Sequence, residues 1–306
     1  MVQVTAALVK DLRERTGAGM MDCKKALTEN RADIEAAVDW LRKKGLAAAE
    51  KKAGRTAAEG LVGMALEDGR GALVELNAET DFVARNEGFQ AAVAKLATLG
   101  LSVEGGLEAL KASNMEGQTA EEYVISLIAT IGENMNLRRY AKVEVGDGVV
   151  AGYIHSAAAP GLGKIGVLVG LESSGDKDKL VALGKQIAMH VTSANPRWVA
   201  RDDVDAATIE RERAILVDQA EASGRPNHVV EKMVEGRMRK YYEEVVLQEQ
   251  AFIMDTDKSV GKILEEAVGD IGAPVSCAGF VRFALGEGVA REEKDFAAEV
   301  AETLGS

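Results

Sequence analysis

The residues of this 306-residue chain that could do chemistry are few and scattered. Gly161-Leu162-Gly163-Lys164-Ile165-Gly166 has the GxGxxG spacing that brings backbone N–H groups to a pyrophosphate at a helix N-terminus. That chemistry needs a helix after the glycines. Here Val167-Leu168-Val169 follows and predicts a strand, so the stretch reads as a hairpin loop. Gly163-Lys164, Gly184-Lys185 and Gly261-Lys262 each lack the Ser or Thr that completes a phosphate loop. His155, His190 and His228 show no metal-ligand spacing. His190 lies in an apolar helical run and reads as a core histidine bonded within the protein. No serine sits in a G-x-S-x-G elbow. Cys23 and Cys277 are too few for a disulfide framework, and nothing marks either as reactive. The sequence therefore offers no active site, and neither enzymatic activity nor a cofactor or metal is expected.

A different kind of chemistry is visible at Thr80-Asp81-Phe82-Val83-Ala84-Arg85-Asn86. This segment joins a predicted strand to a predicted helix and puts an aromatic beside a carboxylate where a polar turn would do. An aromatic on a loop held by rigid elements is a candidate wedge for another protein. The alternative is a staple, in which Phe82 folds back on the helix that follows. Asp81 has its own bland role, bonding the loop backbone. Met20 and Met21 pose the same choice. Two consecutive methionines on a short helix rarely both point inward, so one is expected at the surface, where Met suits an adaptable contact.

The elements that position these residues follow from periodicity and punctuation. Residues 5–45 read as three short helices: Leu8, Val9 and Leu12 recur at helical spacing, Gly17-Ala18-Gly19 breaks the pattern, Asp33 caps a third helix, and Gly45 ends it. Residues 46–58 read as a helical or flexible linker. Leu61–Leu66 and Ala72–Leu76 flank a Gly-containing turn and form a strand pair. Asn86 caps a helix carrying Phe89, Val93 and Leu96. Thr119 and Glu122 have capping-box spacing at the head of another helix, which Gly132 stops, and a strand follows at Leu137–Val145. The pattern then repeats: strands at Val149–Ile154 and Ile165–Leu171, the polar turn Ser173–Asp176, and a helix through Leu180, Leu183, Ile187 and Val191. Two such units suggest an internal duplication. An antiparallel helix pair about Gly224-Arg225-Pro226 reads as an insertion, Gly279–Phe283 as a late strand completing the second sheet, and the tail from Arg291 as a closing helix.

The fold class is thus α+β. The expected domains are a three-helix module and linker at 1–55, a first sheet-plus-helix subdomain at 56–146, and a second at 147–194, 229–263 and 279–290. A helical hairpin at 195–228 and a C-terminal module and tail at 264–306 complete the division. Hydrophobic residues make up 47% and charged residues 28%, as in a soluble globular protein. No run of 18 apolar residues and no secretory signal is present, so a reduced cytoplasmic protein is expected. The net charge of −12 is uneven: residues 1–55 hold 12 Lys/Arg against 8 Asp/Glu. An acidic chain is a poor general binder of nucleic acid. The basic residues Arg42-Lys43-Lys44 and Lys51-Lys52-Arg55 read as a solvated helix end.

Five stretches together resemble the elongation factor Ts family, the exchange factors of bacterial translation. They are Leu12–Leu27, Thr80-Asp81-Phe82-Val83, Ile131-Gly132-Glu133-Asn134, Ile187-Ala188-Met189-His190-Val191 and Glu231–Met238. The resemblance implies a ubiquitin-associated-like first module that docks on the nucleotide domain of elongation factor Tu, with Leu12, Met20 and Met21 in contact. It implies that Thr80, Asp81, Phe82 and Val83 disturb the Mg²⁺ site of that partner, and that Ile131, Gly132 and Asn134 line the same contact. The second sheet unit is implied to meet the far domain of the partner, and the helix pair to serve as a dimerisation or coiled-coil element, possible as a homodimer contact. No direct nucleotide, membrane or cofactor contact is implied. The loop Ser156–Lys164 departs from the family pattern by its length, which implies an extended or altered contact with that distal domain. Two rival readings stand beside this one. A nucleotide-dependent enzyme using Gly161–Gly166 would bind labelled nucleotide directly, and an RNA-binding protein using the basic N-terminal patch would show salt-dependent RNA retention.

Overall fold

A computed structural model describes residues 3–222 and 225–290. The chain opens with three helices, α1 (Ala6–Thr16), α2 (Met20–Glu29) and α3 (Ile34–Lys52). The Thr5 hydroxyl caps α1 by accepting from the Leu8 N–H, Gly17 ends it in a left-handed conformation, and the Asp33 carboxylate caps α3 through Ala36 N–H. Leu12, Cys23, Ala26, Leu27 and Ala37 form the closed core of this module.

The first sheet–helix unit begins with β1 (Glu59–Glu67) and β2 (Arg70–Ala78), an antiparallel hairpin turning at Gly69. Next come α4 (Glu87–Gly100) and α5 (Leu107–Ala112). The two-residue strands β3 (Asn114–Met115) and β4 (Gln118–Thr119) follow, and then α6 (Ala120–Ile131) and β5 (Met135–Glu144). The Asn86 cap on α4 and the Thr119–Glu122 capping box on α6 are both formed. The second unit opens with β6 (Gly148–His155), β7 (Leu162–Gly163), β8 (Ile165–Glu172) and α7 (Lys177–Ala194). The helix pair α8 (Ala206–Glu221) and α9 (Asn227–Val245) is followed by the small hairpin β9 (Ala251–Phe252) and β10 (Asp255–Ser259). The helix α10 (Val260–Ile271) and the strand β11 (Ser276–Ala284) close the unit.

The two sheets have the same internal order. β5-β2-β1 in the first matches β11-β8-β6 in the second, all pairs antiparallel, with α4 packed on the first hairpin and α7 on the second. This topological repeat agrees with the duplication read from the sequence, and the architecture is α+β. No helix among the described residues is long and apolar enough to cross a membrane.

Two expectations are corrected. Gly45 does not end α3, which continues to Lys52. It is a packing residue facing α6: a Cβ there would lie 3.5 Å from the Ala129 Cβ, an ordinary contact distance. The helix pair does not stop at residue 228, because its second helix runs to Val245 and shares one apolar seam of Leu216, Ala220, Val230, Val234 and Met238 with α8. The GxGxxG stretch lies in the hairpin loop expected, and within the Ser156–Lys164 loop β7 pairs with β1 and extends the edge of the first sheet. Gly163 is required there, since a Cβ would meet Ile154 at 2.5 Å. The closing helix expected from Arg291 lies outside the described residues, as does Gly224 of the expected helix stop.

Two buried polar groups organise the interior. Glu75 on β2 is fully buried. It accepts from Arg138 (3.1 Å), Arg139, Asn77 Nδ2 (3.0 Å) and the Gly286 N–H (2.9 Å). His190 on α7 is equally buried. Its Nδ1 accepts the Ile253 N–H (3.3 Å), which places the proton on Nε2 facing Gln250 Oε1 at 2.9 Å. Removing one partner of a buried ion pair strands the other, so Glu75→Ala is expected to cost about 3–5 kcal/mol by urea denaturation. Burial holds the His190 imidazole below its ordinary 6.5. The unfolded chain therefore takes up that proton first, and stability that is intact above pH 6.5 falls as the pH drops below it. A His190→Gln variant is expected to show a flatter decline in unfolding free energy from pH 6.5 downward than the parent chain.

Candidate partner-contact site

The segment between β2 and α4 is built from both ends. Val83 is 5% exposed and packs into the core of the first unit with Phe89 and Leu61. A single 3₁₀ turn, Val83–Arg85, follows, closed by Arg85 N–H to Phe82 O and Asn86 N–H to Val83 O. Gln90 on α4 reaches back and donates to Ala84 O at 2.8 Å. At the other end, Thr80 gives both its N–H (2.9 Å) and its hydroxyl (2.6 Å) to the carboxylate of Glu133. The exchange is mutual: the Asn134 N–H donates to Glu79 Oε1 at 2.5 Å. Two neighbouring loops thus trade carboxylates.

Between these anchors Asp81 and Phe82 are exposed, and Phe82 is exposed to 75%. The staple reading is excluded, since Phe89 of α4 fills the core instead. Of the four loop residues expected at the contact, Asp81 and Phe82 face outward, Thr80 is half-buried in the clasp, and Val83 is an interior anchor.

The Ile131–Asn134 segment lies beside the loop, as the clasp requires. Gly132 takes the left-handed conformation (φ 92°) that ends α6 and turns the chain toward β5. Gly132 is exposed and Ile131 half-buried, whereas Asn134 is buried, its side-chain amide donating to Arg55 O at 2.7 Å. The methionines belong to the separate helical module. Met20 is 61% and Met21 75% exposed, so both face solvent, where one had been expected. With Val4, Val9 and Arg13 they line an apolar groove between α1 and α2. Leu12 is fully buried in the core of that module and presents no surface.

Sequence reasoning missed Glu79, Glu133 and Arg55. Each was in view as a residue, but a carboxylate beside a turn reads as solvated until the second loop is beside it. The remaining chemical candidates are quiet. Burial pushes both thiols up, Cys277 to about 11. Among the described residues no group of His, Cys, Asp and Glu is placed to hold a metal ion. The basic residues Arg42, Lys44 and Arg55 are paired with Glu122, Asp22 and Glu79.

A duplicated α+β core with a helical module in front and a braced, aromatic-tipped loop defines a class of protein built around surface contact. Residues 79–287 match the family model described as Elongation factor TS. The chain is 61% identical to elongation factor Ts of Rhodospirillum rubrum over 307 aligned positions, covering 99% of each chain. It is 59% identical to that of Paramagnetospirillum magneticum, covering 100% of this chain and 99% of the relative, and 57% identical to that of Parvibaculum lavamentivorans, covering 98% of each. The chain belongs to the elongation factor Ts family.

The clasp makes a direct prediction. Glu133→Ala leaves the Thr80 N–H and hydroxyl without their charged acceptor, and for this part-buried pair of bonds the loss is about 1.5–3 kcal/mol in all. Thermal unfolding is expected to show a loss in that range, and the Thr80 amide is expected to lose protection from hydrogen exchange ahead of the β2 amides.

Proposed function

We infer that this chain is a guanine-nucleotide exchange factor for elongation factor Tu, and that its Asp81–Phe82 tip releases GDP by distorting the Mg²⁺ site of that partner. The observation that carries this reading is Phe82, a large aromatic held in solvent on a loop fastened at both ends. The Phe82 side chain belongs to none of the hydrophobic clusters of the described residues, which leaves its ring available to a partner. Placed between two side chains of a partner, it is a wedge whose position the clasp has already set, so little ordering entropy opposes binding.

Mg²⁺ demands near-ideal octahedral oxygen geometry. Moving one of its protein ligands weakens phosphate binding steeply, and the factor need not touch the nucleotide. It must only favour the form of the partner in which that site is distorted. By linkage, it lowers GDP affinity by the factor by which GDP lowers its own affinity, and GTP entry later displaces it by the same reciprocity. Such a cycle consumes nothing and uses no acid, base or nucleophile. In this reading Asp81 pushes a neighbouring segment of the partner by charge, Ile131 and Gly132 flank the wedge, and Met20 and Met21 supply a second, adaptable contact on the nucleotide domain. The factor binds both GDP-bound and nucleotide-free partner.

The nucleotide-enzyme reading is disfavoured because the Gly161–Gly166 stretch lies within strand pairing and leads into β8, with no helix N-terminus to receive phosphates. The RNA reading is disfavoured because the chain carries a net charge of −12 and because Arg42, Lys44 and Arg55 of the basic patch are drawn into ion pairs.

The deciding experiment follows release of a fluorescent GDP analogue from purified elongation factor Tu. The parent chain is expected to accelerate release. Phe82→Ala is expected to unfold within about 0.5 kcal/mol of the parent, as an exposed substitution should. It is also expected to lose exchange by roughly 30-fold or more, the scale of a hot-spot truncation. Equal acceleration by both would move the contact elsewhere, and no acceleration by the parent would overturn the exchange reading.

A further inference from the structure

The helical module and the wedge loop are joined by more than the chain between them. α3 leaves the module and lies along α6, where Gly45 faces Ala129 and the Arg42 guanidinium pairs with Glu122. Glu122 serves twice, because its other oxygen completes the capping box of α6. Beside this seam the module and the first unit are parted by a cleft of about 340 Å³, walled by Arg15 and Asp22 on one side and Ile125 and Ser126 on the other. The module is therefore held to the first unit through the α3–α6 seam, with the cleft opening beside it. Just past the end of α3 comes the second attachment. The Arg55 carbonyl accepts from Asn134 Nδ2 at 2.7 Å, and the Arg55 guanidinium lies 3.4 Å from Glu79 Oε1. Glu79 also accepts the Asn134 N–H.

Asn134 thus touches the linker with its side chain and the wedge loop with its backbone. The residue is 9% exposed, too little to be the centre of a contact with another protein. We propose that Asn134 is a positioning residue that couples the helical module to the wedge loop, holding the end of α3 against the Glu79–Glu133 clasp so that both surfaces meet the partner in one fixed placement. The inference rests on the exchange reading above. Its physical basis is that two contacts on one rigid body engage as a single event. When the tie is loosened, the second contact becomes a separate intramolecular step whose effective concentration falls with the freedom of the link. A side-chain amide suits the task. Aspartate has the same shape but no N–H to give, and would set an oxygen against the Arg55 carbonyl.

The test is a double-mutant cycle on full-length protein with a conformational readout beside it. Asn134→Asp is expected to raise the concentration giving half-maximal GDP release by roughly tenfold. Met21→Ala, which lies on the other surface, is expected to matter less in that background than in the parent, so the two effects combine to less than their product by at least about threefold. Spin labels at Lys24→Cys and Glu87→Cys report the distance between module and loop without any partner. That distribution is expected to be narrow in the parent and broader with Asn134→Asp. Arg42→Ala releases the other end of the seam without touching the loop and is expected to broaden it too, which keeps the test open if the aspartate variant unfolds. Multiplicative effects together with unchanged distance distributions overturn the coupling while leaving the exchange reading intact. Failure of the parent chain to accelerate release overturns the exchange reading, and the label distances still judge the coupling.

Discussion

A carboxylate taken wholly out of water is tolerated only when donors replace its hydration, and Glu75 sets that demand at the centre of the molecule. Its donors come from three places. Arg138 and Arg139 stand on β5, Asn77 is two residues along β2, and the Gly286 N–H belongs to the turn after β11. The same arginines reach on to the carbonyls of Ala284 and Glu287, and the Arg139 guanidinium lies over the Phe283 ring. One buried charge thus requires β5 to lie beside β2 and the end of the second sheet to return across the first. β5 begins just after Glu133 and Asn134, which brace the loop between β2 and α4, so the strand that supplies the arginines to Glu75 also brings Asn134 beside Glu79.

The two sheet–helix units show what the corner between strand and helix needs and what it can be made to display. In the second unit β8 ends at Glu172 and Asp176 caps α7, a connection of four residues whose Ser173 and Asp176 side chains are used locally, while their N–H groups go to the Asp147 and Ile271 carbonyls. In the first unit eight residues separate Ala78 from Glu87. The added length would leave backbone groups unpaired. The Glu79–Glu133 exchange, the 3₁₀ turn and the Gln90 bond satisfy them, and they leave Asp81 and Phe82 outside. A longer corner held this tightly can carry an exposed aromatic without letting it collapse onto α4, whose own Phe89 already occupies the core.

Local chemistry in the sequence was enough to place most elements. The caps at Asp33, Asn86 and Thr119, the left-handed stops at Gly17 and Gly132, and the apolar runs around β1, β2, β6 and β8 act through neighbours within a few residues, so the chain carries them whatever its tertiary surroundings. The duplication, the late strand and the family motifs were legible for the same reason. Phe82 could be picked out as unusual, but its exposure could not be read, because that depends on whether another residue already fills the core below it.

What only the tertiary structure decided involves groups far apart along the chain. Gly45 has the sequence appearance of a helix stop, yet it is a contact point with Ala129. Leu12, Val83 and Asn134 share motifs with exposed residues but are interior, and β7 leaves its own hairpin to complete the edge of the other sheet. Thr80 finds its acceptor 53 residues away and Glu75 its last donor 211 residues away. Propensity and capping have a range of about one turn of chain, whereas burial, close approach and charge compensation are properties of whichever residues folding brings together. The sequence by itself therefore determined the elements and the family. The three-dimensional arrangement alone determined which motif residues are exposed and which hold the others in place.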